Sequence, residues 1–383
     1  MSRQIHVGGV AVGGGAPVIV QSMTSTSTAD ACATLDQIVR LAAAGCELVR
    51  DSLTDAHELA ALDHIVEHSP LPVIADIHFD YRLALAALEH GVAGIRINPG
   101  TIGPERVVRE IVAAANEGRQ RRSRRPRRVE GGETAARARA RDDGQARPTA
   151  IRIGVNAGSL PRRLRGRAQS EPVAALVEAA VGFAERFEEW GFSEFKISVK
   201  SSSVPDTIAA YRLLSQRSAA PLHLGVTEAG TAWSGAIKSA VGIGTLLAEG
   251  IGDTVRVSLT GDPVEEVRVA WAILAALDLR RRGPNLISCP TCGRTELDLA
   301  GIAGEVERRL QSYTAPISVA VMGCRVNGPE EARHADFGIA GGRGQGIVFA
   351  RGEKVVTVPE DELVERLFVE IDRALAGSAA KGE

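Results

Sequence analysis

The chain has 383 residues, 44% of them hydrophobic and 24% charged, and a formal net charge of −2. This composition is typical of a soluble globular protein, and the length is enough for more than one domain. The sequence has no run of about 18 apolar residues and begins without an apolar stretch, so we expect neither a membrane span nor a signal peptide. Five cysteines do not make a disulfide framework in a chain of this length and favour a reducing, cytoplasmic location.

Between residues 17 and 280, short segments typical of strands alternate with longer segments typical of helices. The predicted strands are 18–23, 47–51, 72–78, 94–98, 151–156, 195–200, 222–227 and 254–259. The predicted helices are 30–44, 55–69, 81–90, 104–117, 171–189, 204–218, 234–249 and 263–280. This alternation predicts an α/β fold of parallel strands, and the count favours a closed (β/α)8 TIM barrel. An open doubly wound sheet is the alternative, but no glycine-rich dinucleotide fingerprint follows the first strand.

One segment interrupts this alternation. Residues 118–148 contain eleven arginines and four carboxylates, a net charge of +7, and no aromatic residue. Because such a segment buries too little apolar surface to offset its ordering entropy, we expect a disordered basic insertion at the surface. The alternative is a tail that binds nucleic acid or an acidic partner.

The predicted strands carry polar residues at alternate positions. Since alternate residues of a strand face opposite sides, the aliphatic set faces the helices and the polar set faces the barrel lumen or its mouth. Buried cations there need an anionic occupant, and paired phosphates suit Arg and Lys donors. The alternative is a set of core ion pairs with Asp76 and Glu228. The polar set comprises Asp76, His78, Arg96, Asn98, Arg152, Asn156, Lys196, Ser198, Lys200, Arg256 and Ser258.

Two side chains lie where barrel enzymes place their chemistry, at the carboxyl ends of the strands. Glu228 follows the seventh predicted strand among small residues, so it is a candidate general acid or base, or else the partner of a nearby cation. His78 ends the third predicted strand and is either a phosphate donor or a residue that holds the loop.

The pattern changes after about residue 284, so we expect a barrel domain at 1–283 and a smaller α/β domain at 284–383. The second domain is predicted to have helices at 296–311 and 360–375 and strands at 317–322, 336–340 and 346–350. The glycine-rich run 341–346 is interpreted as a hairpin turn rather than a nucleotide-binding loop.

This domain contains three cysteines in glycine- and proline-rich surroundings. Cys289 and Cys292 have C-x-x-C spacing and Cys324 lies in a separate motif, so three thiolates are present where a closed site needs four ligands. Glu331 and His334 are the nearest candidates for the fourth ligand. The residues alone leave three interpretations open: an iron–sulfur cluster, a zinc site, and a redox dithiol.

Six short motifs also occur along the chain, at 20–24 (VQSMT), 75–79 (ADIHF), 96–100 (RINPG), 153–160 (IGVNAGSL), 227–230 (TEAG) and 250–254 (GIGDT). Together with both cysteine motifs, they resemble the 4-hydroxy-3-methylbut-2-enyl diphosphate synthases, the IspG or GcpE family of the non-mevalonate isoprenoid pathway. The resemblance runs from about residue 4 to 352 and skips the basic insertion.

The resemblance implies a TIM barrel followed by a C-terminal [4Fe–4S] domain, with the cluster bound by Cys289, Cys292, Cys324 and Glu331. It implies a reductase that opens 2-C-methyl-D-erythritol 2,4-cyclodiphosphate with two electrons, delivered one at a time by flavodoxin or ferredoxin. It also implies a homodimer in which the cluster domain of one subunit caps the barrel of the other. Glu228 and Glu331 are then the expected catalytic residues, and the residues expected to bind the diphosphate substrate are Arg50, Asp76, His78, Arg96, Asn98, Arg152, Asn156, Lys196, Lys200, Arg256 and Ser258.

The chain departs from the family pattern beside the third cysteine. Glu330 stands where glycine is usual, which puts a second carboxylate next to Glu331, and Arg325 replaces an aliphatic residue. Both positions are expected to affect the cluster's potential. The alternatives to a reductase are a zinc-dependent hydrolase or lyase acting on a phosphorylated substrate and a diverged, non-catalytic nucleic-acid-binding paralogue.

Overall fold

A computed structural model describes residues 1–122, 147–157, 160–161, 164–324, 334–342 and 344–379. Two compact units are present, Met1–Arg280 and Arg281–Glu383. Most of the basic insertion lies outside the described residues, and so do Arg325, Glu330 and Glu331. The first unit carries the predicted barrel and the second carries the three motif cysteines.

An antiparallel hairpin that the sequence did not predict precedes the barrel. Its strands are β1 (Ile5–Val7) and β2 (Val10–Val12), and they are joined by Gly8 and Gly9 with positive φ angles of 58° and 97°. Strands of three residues are too short to show a period in the sequence. The hairpin packs on apolar residues near the N-terminal ends of the barrel strands and closes that end of the lumen, through Ile19, Leu48, Ile74 and Ala150.

Parallel strands form the predicted barrel in the described part of the first unit. They are β3 (Ile19–Met23), β4 (Leu48–Ser52), β5 (Val73–Asp76), β6 (Gly94–Ile97), β7 (Ala150–Asn156), β8 (Phe195–Lys200), β9 (His223–Leu224) and β10 (Thr254–Val255). Their order around the sheet is β8-β7-β6-β5-β4-β3-β10-β9. A parallel bridge between Ile197 and Leu222 joins β8 to the start of β9 and completes the ring. The TIM-barrel prediction is confirmed.

Helices cover the outside of the barrel and bury the aliphatic faces of its strands. Ile151, Ile153 and Val155 of β7, for example, are fully buried in the main hydrophobic core. The helices are α1 (Ala31–Ala44), α2 (Leu59–His68), α3 (Tyr81–Glu89), α4 (Glu105–Arg122), α5 (Arg167–Ser170), α6 (Pro172–Glu189), α7 (Val204–Arg217), α8 (Ala232–Ala248) and α9 (Pro263–Ala276).

Helix α4 corrects one expectation, because it continues to Arg122 and so includes the first residues of the segment that was predicted to be disordered. Residues 123–146 of that segment lie outside the described residues, and Arg147 and Pro148 are described and lie in no helix or strand. Every helix in the described part of the chain is too short or too polar to cross a bilayer.

The second unit is a five-stranded sheet with two helices in the residues described. The strands β11 (Asn285–Ser288), β12 (Ser318–Met322) and β13 (Phe337–Gly342) are parallel, and β14 (Gln345–Ala350) and β15 (Glu353–Pro359) continue the sheet in antiparallel fashion. The helices are α10 (Leu299–Leu310) and α11 (Leu363–Ala379).

The sequence did not predict β11 or β15, because both are largely exposed and lack the apolar pattern of a buried strand. The run 341–346 does span a hairpin, but Gly341 and Gly342 lie within β13 and pair with β14. A Cβ atom on Gly341 would collide with the Leu297 side chain. Close packing, rather than a turn, therefore requires glycine at that position.

Candidate active site

Five cations face the inside of the barrel on neighbouring strands. We call Arg50, Arg96, Arg152, Lys196 and Lys200 the lumen cations. The strand register aligns three of them, since Arg96 lies opposite Arg152 and Arg152 opposite Lys196. Their exposed fractions run from 2% for Lys196 to 8% for Lys200, so all five are withdrawn from bulk water. The polar strand face predicted from the alternation is thus buried within the barrel.

Asp76 is a carboxylate among the lumen cations. Its oxygens lie 3.2 Å from Arg50 Nε and 3.1 Å from Arg96 Nη1, and His78 Nε2 lies 3.6 Å away. Burial alone would raise the pKa of Asp76, but Arg50, His78 and Arg96 outweigh burial and hold that pKa well below its ordinary value. An ionised carboxylate has no proton to donate to a phosphate, so these contacts favour a role for Asp76 in orienting the two arginines.

Several buried donors in the lumen have no acceptor among the described residues. They are Nε and Nη1 of Arg152, Nε of Arg96 and Nε2 of Gln21. A buried polar group left without a partner costs about 1–3 kcal/mol, and folded proteins rarely tolerate several together. Donors arranged around a common interior in this way are suited to binding the oxygens of an anion.

Burial and mutual repulsion both disfavour the charged forms of the lumen cations. Burial, opposed mainly by Asp76, lowers the pKa of Arg50 to about 10. Burial, followed by the charges of Arg50 and Arg96, lowers the pKa of Arg152 well below its ordinary value. Burial, followed by the charge of Arg152, likewise lowers the pKa values of Lys196 and Lys200 well below the usual lysine value. A polyanion in the lumen would relieve this repulsion.

The side chains of Arg96 and Lys200 fit in the lumen because Gly154 and Gly225, which lie next to them, have no side chain. A Cβ atom on Gly154 would lie 2.5 Å from Arg96 Nε, and one on Gly225 would lie 2.8 Å from Lys200 Nζ. Real Cβ atoms do not approach other heavy atoms so closely, so a larger residue at either position would displace a cation. The lumen is therefore shaped around these charged groups.

Arg256 differs from the lumen cations because it has a carboxylate of its own. Its Nη2 and Nε donate to the two oxygens of Glu266 at 3.0 and 3.2 Å. Glu266 lies on α9, is 3% exposed, and also accepts from Ser22 Oγ and Leu259 N, both at 3.0 Å. The sequence did not reveal Glu266, because an acid in the first turn of a helix is typical of any helix N-terminus. Ser258, which precedes Leu259, is half-buried.

The other predicted site residues lie near the carboxyl ends of the strands. Asn98 is buried and accepts from Gly100 N at 3.0 Å, so it holds the loop after β6. Asn156 is half-buried at the end of β7. His78 is 46% exposed, and its Nδ1 lies 3.3 Å from Arg96 Nη1.

Glu228 is exposed in the connection between β9 and α8 and forms no ion pair among the described residues. Its φ of 53° lies in the left-handed region, which costs a residue with a side chain about 1–3 kcal/mol. Backbone strain of this kind is concentrated at functional sites. The exposed carboxylate of Glu228 is thus accessible to a ligand at the carboxyl ends of the strands.

His223 is a lumen residue that the sequence analysis missed. It is fully buried, and its Nδ1 bonds to Thr254 Oγ1 at 2.9 Å, whereas Nε2 has no partner in the described part of the chain. Burial, followed by the charges of Arg152, Lys200 and Lys196, lowers the pKa of His223 well below its usual value, so the ring is neutral at neutral pH. Its alternation with Leu222 and Leu224 was the signal that would have placed it in the lumen.

The second unit brings its cysteines to one edge of the sheet. Cys289 follows β11 and Cys324 follows β12, and these adjacent strands are parallel and in register from Asn285 to Ser288. Gly323 N donates to Cys289 Sγ at 3.3 Å, a bond of the kind that tunes the thiolates of iron–sulfur clusters. The soft donor set thus fits a cluster.

Among the residues that the structure describes, no three His, Cys, Asp or Glu side chains are grouped to hold one ion. The predicted fourth cluster ligand, Glu331, lies outside them.

Comparison with known proteins assigns both units. Residues 2–122 and 132–271 match the GcpE TIM-barrel domain, and residues 285–373 match the GcpE protein C-terminal domain. The proteins named 4-hydroxy-3-methylbut-2-en-1-yl diphosphate synthase (flavodoxin) from Geobacter sulfurreducens and Lawsonia intracellularis are 54% and 50% identical to this chain. The first alignment covers 98% of both chains, and the second covers 98% of this chain and 97% of the other.

The protein of the same name from Aquifex aeolicus is 48% identical, over 97% of this chain and 96% of its own. Among solved structures, the dihydropteroate synthase of Stenotrophomonas maltophilia covers 72% of this chain and 98% of its own, with a TM-score of 0.46 and 13% identity. That likeness is too remote to inform function. None of these matches favours a zinc hydrolase or a nucleic-acid-binding protein.

Proposed function

The chain belongs to the GcpE family, and from this membership and the lumen cations we propose that it reduces 2-C-methyl-D-erythritol 2,4-cyclodiphosphate to 4-hydroxy-3-methylbut-2-enyl diphosphate. The relatives' names give the product. The diphosphate group is the part of the substrate that the barrel is suited to bind. The protein is then an oxidoreductase of isoprenoid biosynthesis.

The observation that carries the proposal is the excess of buried positive charge. Asp76 is paired with two of the five lumen cations, whereas Arg152, Lys196 and Lys200 have no carboxylate within ion-pair distance among the described residues. Confining unpaired charges in this way costs several kcal/mol per ion unless a ligand compensates them. The two phosphates of the substrate supply oxygen acceptors for the unpaired donors of Arg96 and Arg152.

The lumen cations also have a role in the chemical step. Ring opening breaks a carbon–oxygen bond and converts an ester oxygen of the ring into an anionic phosphate oxygen, so the diphosphate gains charge. Cations that bind the product-like charge more strongly than the substrate lower the barrier. The product has one oxygen fewer than the substrate, and that oxygen leaves as water when two electrons and one proton are taken up. We propose that the carboxyl group of Glu228 donates this proton to the leaving oxygen.

Cys289, Cys292, Cys324 and Glu331 would hold a [4Fe–4S] cluster, whose chemistry is the supply of electrons one at a time. Thiolates bind iron–sulfur clusters in preference to hard cations, and a carboxylate as fourth ligand is exchangeable. The Gly323 N–H bond to Cys289 supports this assignment, because backbone N–H groups that donate to sulfur are typical of iron–sulfur sites.

The electron donor is proposed to be flavodoxin or ferredoxin, since the relatives' names specify flavodoxin. We propose a homodimer, as the family resemblance implies, which light scattering on the purified protein would test. A cytoplasmic location is proposed because cluster thiolates need a reducing compartment.

Anaerobic reconstitution followed by assay tests the function. The reconstituted protein should be brown and should form the linear diphosphate from the cyclic one when an artificial one-electron donor is added. A colourless protein that binds zinc instead, or a brown protein that leaves the cyclic diphosphate unchanged, would contradict the proposal. Formation of product by a protein without a cluster would contradict the role of the cysteines.

A further inference from the structure

Glu266 connects three parts of the barrel that meet at the carboxyl ends of β3 and β10. It accepts from both Nε and Nη2 of Arg256, from the hydroxyl of Ser22 near the carboxyl end of β3, and from the backbone N–H of Leu259. At 3% exposure it has no contact with bulk water that would compete for these bonds. A single side chain thus fixes Arg256 and the backbone on which Ser258 lies.

The contact leaves the phosphate-binding part of Arg256 available. A guanidinium group has five N–H donors in one plane. Glu266 uses the Nε donor and one Nη2 donor, which leaves three donors, two of them on the edge formed by Nη1 and Nη2. That edge can bind a phosphate with two parallel hydrogen bonds. Arg256 is 17% exposed, more than the lumen cations, so a ligand entering from the mouth can reach it.

The negative charge of Glu266 reduces the attraction of Arg256 for an anion. Any gain in phosphate binding from Glu266 must therefore come from the position in which it holds Arg256. Arg256 lies beside at least one of the lumen cations, since a Cβ atom on Gly225 would meet both Arg256 O at 2.7 Å and Lys200 Nζ at 2.8 Å. Without a partner, a flexible arginine in this field would turn away from them toward the mouth. Glu266 keeps the guanidinium in place before the ligand arrives, which lowers the entropy lost on binding.

We propose that Glu266 is a positioning residue, which holds Arg256 and the Ser258 backbone in the arrangement that binds the diphosphate. This inference rests on the proposed function, because it assumes that the diphosphate binds in the lumen. Glu266 contacts no part of the lumen directly and acts through Arg256 and the loop that follows β10.

The test compares Glu266→Gln with Glu47→Gln as a matched control. Glu47 also bonds one arginine with both oxygens, Arg280 at 2.7 and 3.0 Å, and accepts from the backbone N–H of Val20. It lies at the opposite, N-terminal end of the strands, away from the lumen cations. The two variants therefore lose the same kind of bonds in different places.

The measurements are the Kd of inorganic pyrophosphate by calorimetry, the melting temperature, and KM and kcat for the cyclic diphosphate. Glu266→Gln should raise Kd and KM about tenfold or more and change kcat little, whereas Glu47→Gln should lower the melting temperature without changing Kd. In an Arg256→Ala background, Glu266→Gln should cause little further loss. Should Glu266→Gln not fold, Glu266→Asp, which keeps the charge but shortens the reach, should raise Kd in the same direction.

Two results would overturn the role of Glu266. One is a wild-type affinity for pyrophosphate in folded Glu266→Gln, and the other is a loss of affinity that persists in full when Arg256 is already alanine. If the wild-type protein bound neither pyrophosphate nor the cyclic diphosphate, the proposed function would fail as well. The wild-type titration thus separates the failure of the positioning role from failure of the site.

Discussion

Replacing Lys196 by methionine should stabilise the ligand-free protein. Lys196 is 2% exposed, and its ammonium group donates to Gln21 Oε1 at 3.3 Å, the one bond it makes within the described ranges. Methionine keeps the unbranched chain and fills the same volume, so no cavity is created. The substitution removes a buried charge that has no carboxylate partner among the described residues, and it also removes that one bond.

The size of the effect follows from these two opposing changes. Exchanging buried ionic groups for apolar groups of similar volume stabilises proteins by up to about 4 kcal/mol, and the lost bond costs about 1 kcal/mol. We therefore expect a net gain of about 1–3 kcal/mol in the free energy of unfolding. Saturation with pyrophosphate at a hundred times Kd should stabilise the wild-type protein by about 2.7 kcal/mol, and should stabilise Lys196→Met less at the same concentration.

Urea unfolding in phosphate-free buffer of low ionic strength measures this difference. All three tryptophans of the chain, Trp190, Trp233 and Trp271, lie in the barrel unit, so their fluorescence reports its unfolding. Arg280→Met is the control, because it removes a cation that is paired with Glu47 and should lower stability. A Lys196→Met protein that is less stable than the wild type, or that gains as much from pyrophosphate, would refute the reasoning.

The pH dependence of stability tests the same claim about Lys196. The direction of its pKa shift determines whether stability rises or falls with pH. Since the pKa of Lys196 is lower in the folded protein than the ordinary 10.5, the unfolded chain binds more protons between the two values. The stability of the ligand-free protein should therefore rise with pH through this window and level off above 10.5. Lys196→Met should reduce that slope, and saturating pyrophosphate should reduce it in the wild type.

Other substitutions have equally definite outcomes. Burial raises the pKa of Asp51 from 3.8 to about 6, so its contribution to stability should fall by about 2–3 kcal/mol as pH rises through that window, and urea unfolding of Asp51→Asn should lack this dependence. Glu228→Gly should relieve the strained backbone and add about 1 kcal/mol of stability while slowing turnover at least a hundredfold; unchanged turnover would remove Glu228 from the mechanism. Cys292→Ser should abolish the visible absorbance of the reconstituted protein but leave the pyrophosphate Kd unchanged, and a changed Kd would contradict the assignment of diphosphate binding to the lumen cations. Deleting residues 123–146, of which 123–131 fall between the two segments that match the barrel family, should change neither Kd nor turnover, and loss of either would assign the insertion a function.

The barrel and most of its lumen were predictable because strands of a TIM barrel obey two simple rules. Each strand is buried on both faces, and residues two apart face the same side. In β7 the aliphatic residues therefore occupy one set of alternate positions, and Arg152 belongs to the other set. Helix-ending glycines such as Gly45, with φ of 101°, fixed several boundaries. The resemblance to a known family supplied the roles of these residues.

Features that depend on register or on distant contacts were not predictable. The sequence does not distinguish Glu266 from any other acid in the first turn of a helix. Its contact with Arg256 appears only in the folded chain. The pairing of Asp76 with Arg50 and Arg96 required strand neighbours to be known. The β1–β2 hairpin was missed because its strands are too short to carry a pattern.

The central claim is that the lumen cations bind the diphosphate, and the structure of the complex with the cyclic diphosphate tests it most directly. Phosphate oxygens should lie within hydrogen-bonding distance of Arg96 and Arg152, on donors that have no acceptor among the described residues. A diphosphate bound elsewhere, with those donors still lacking an acceptor, would contradict the account.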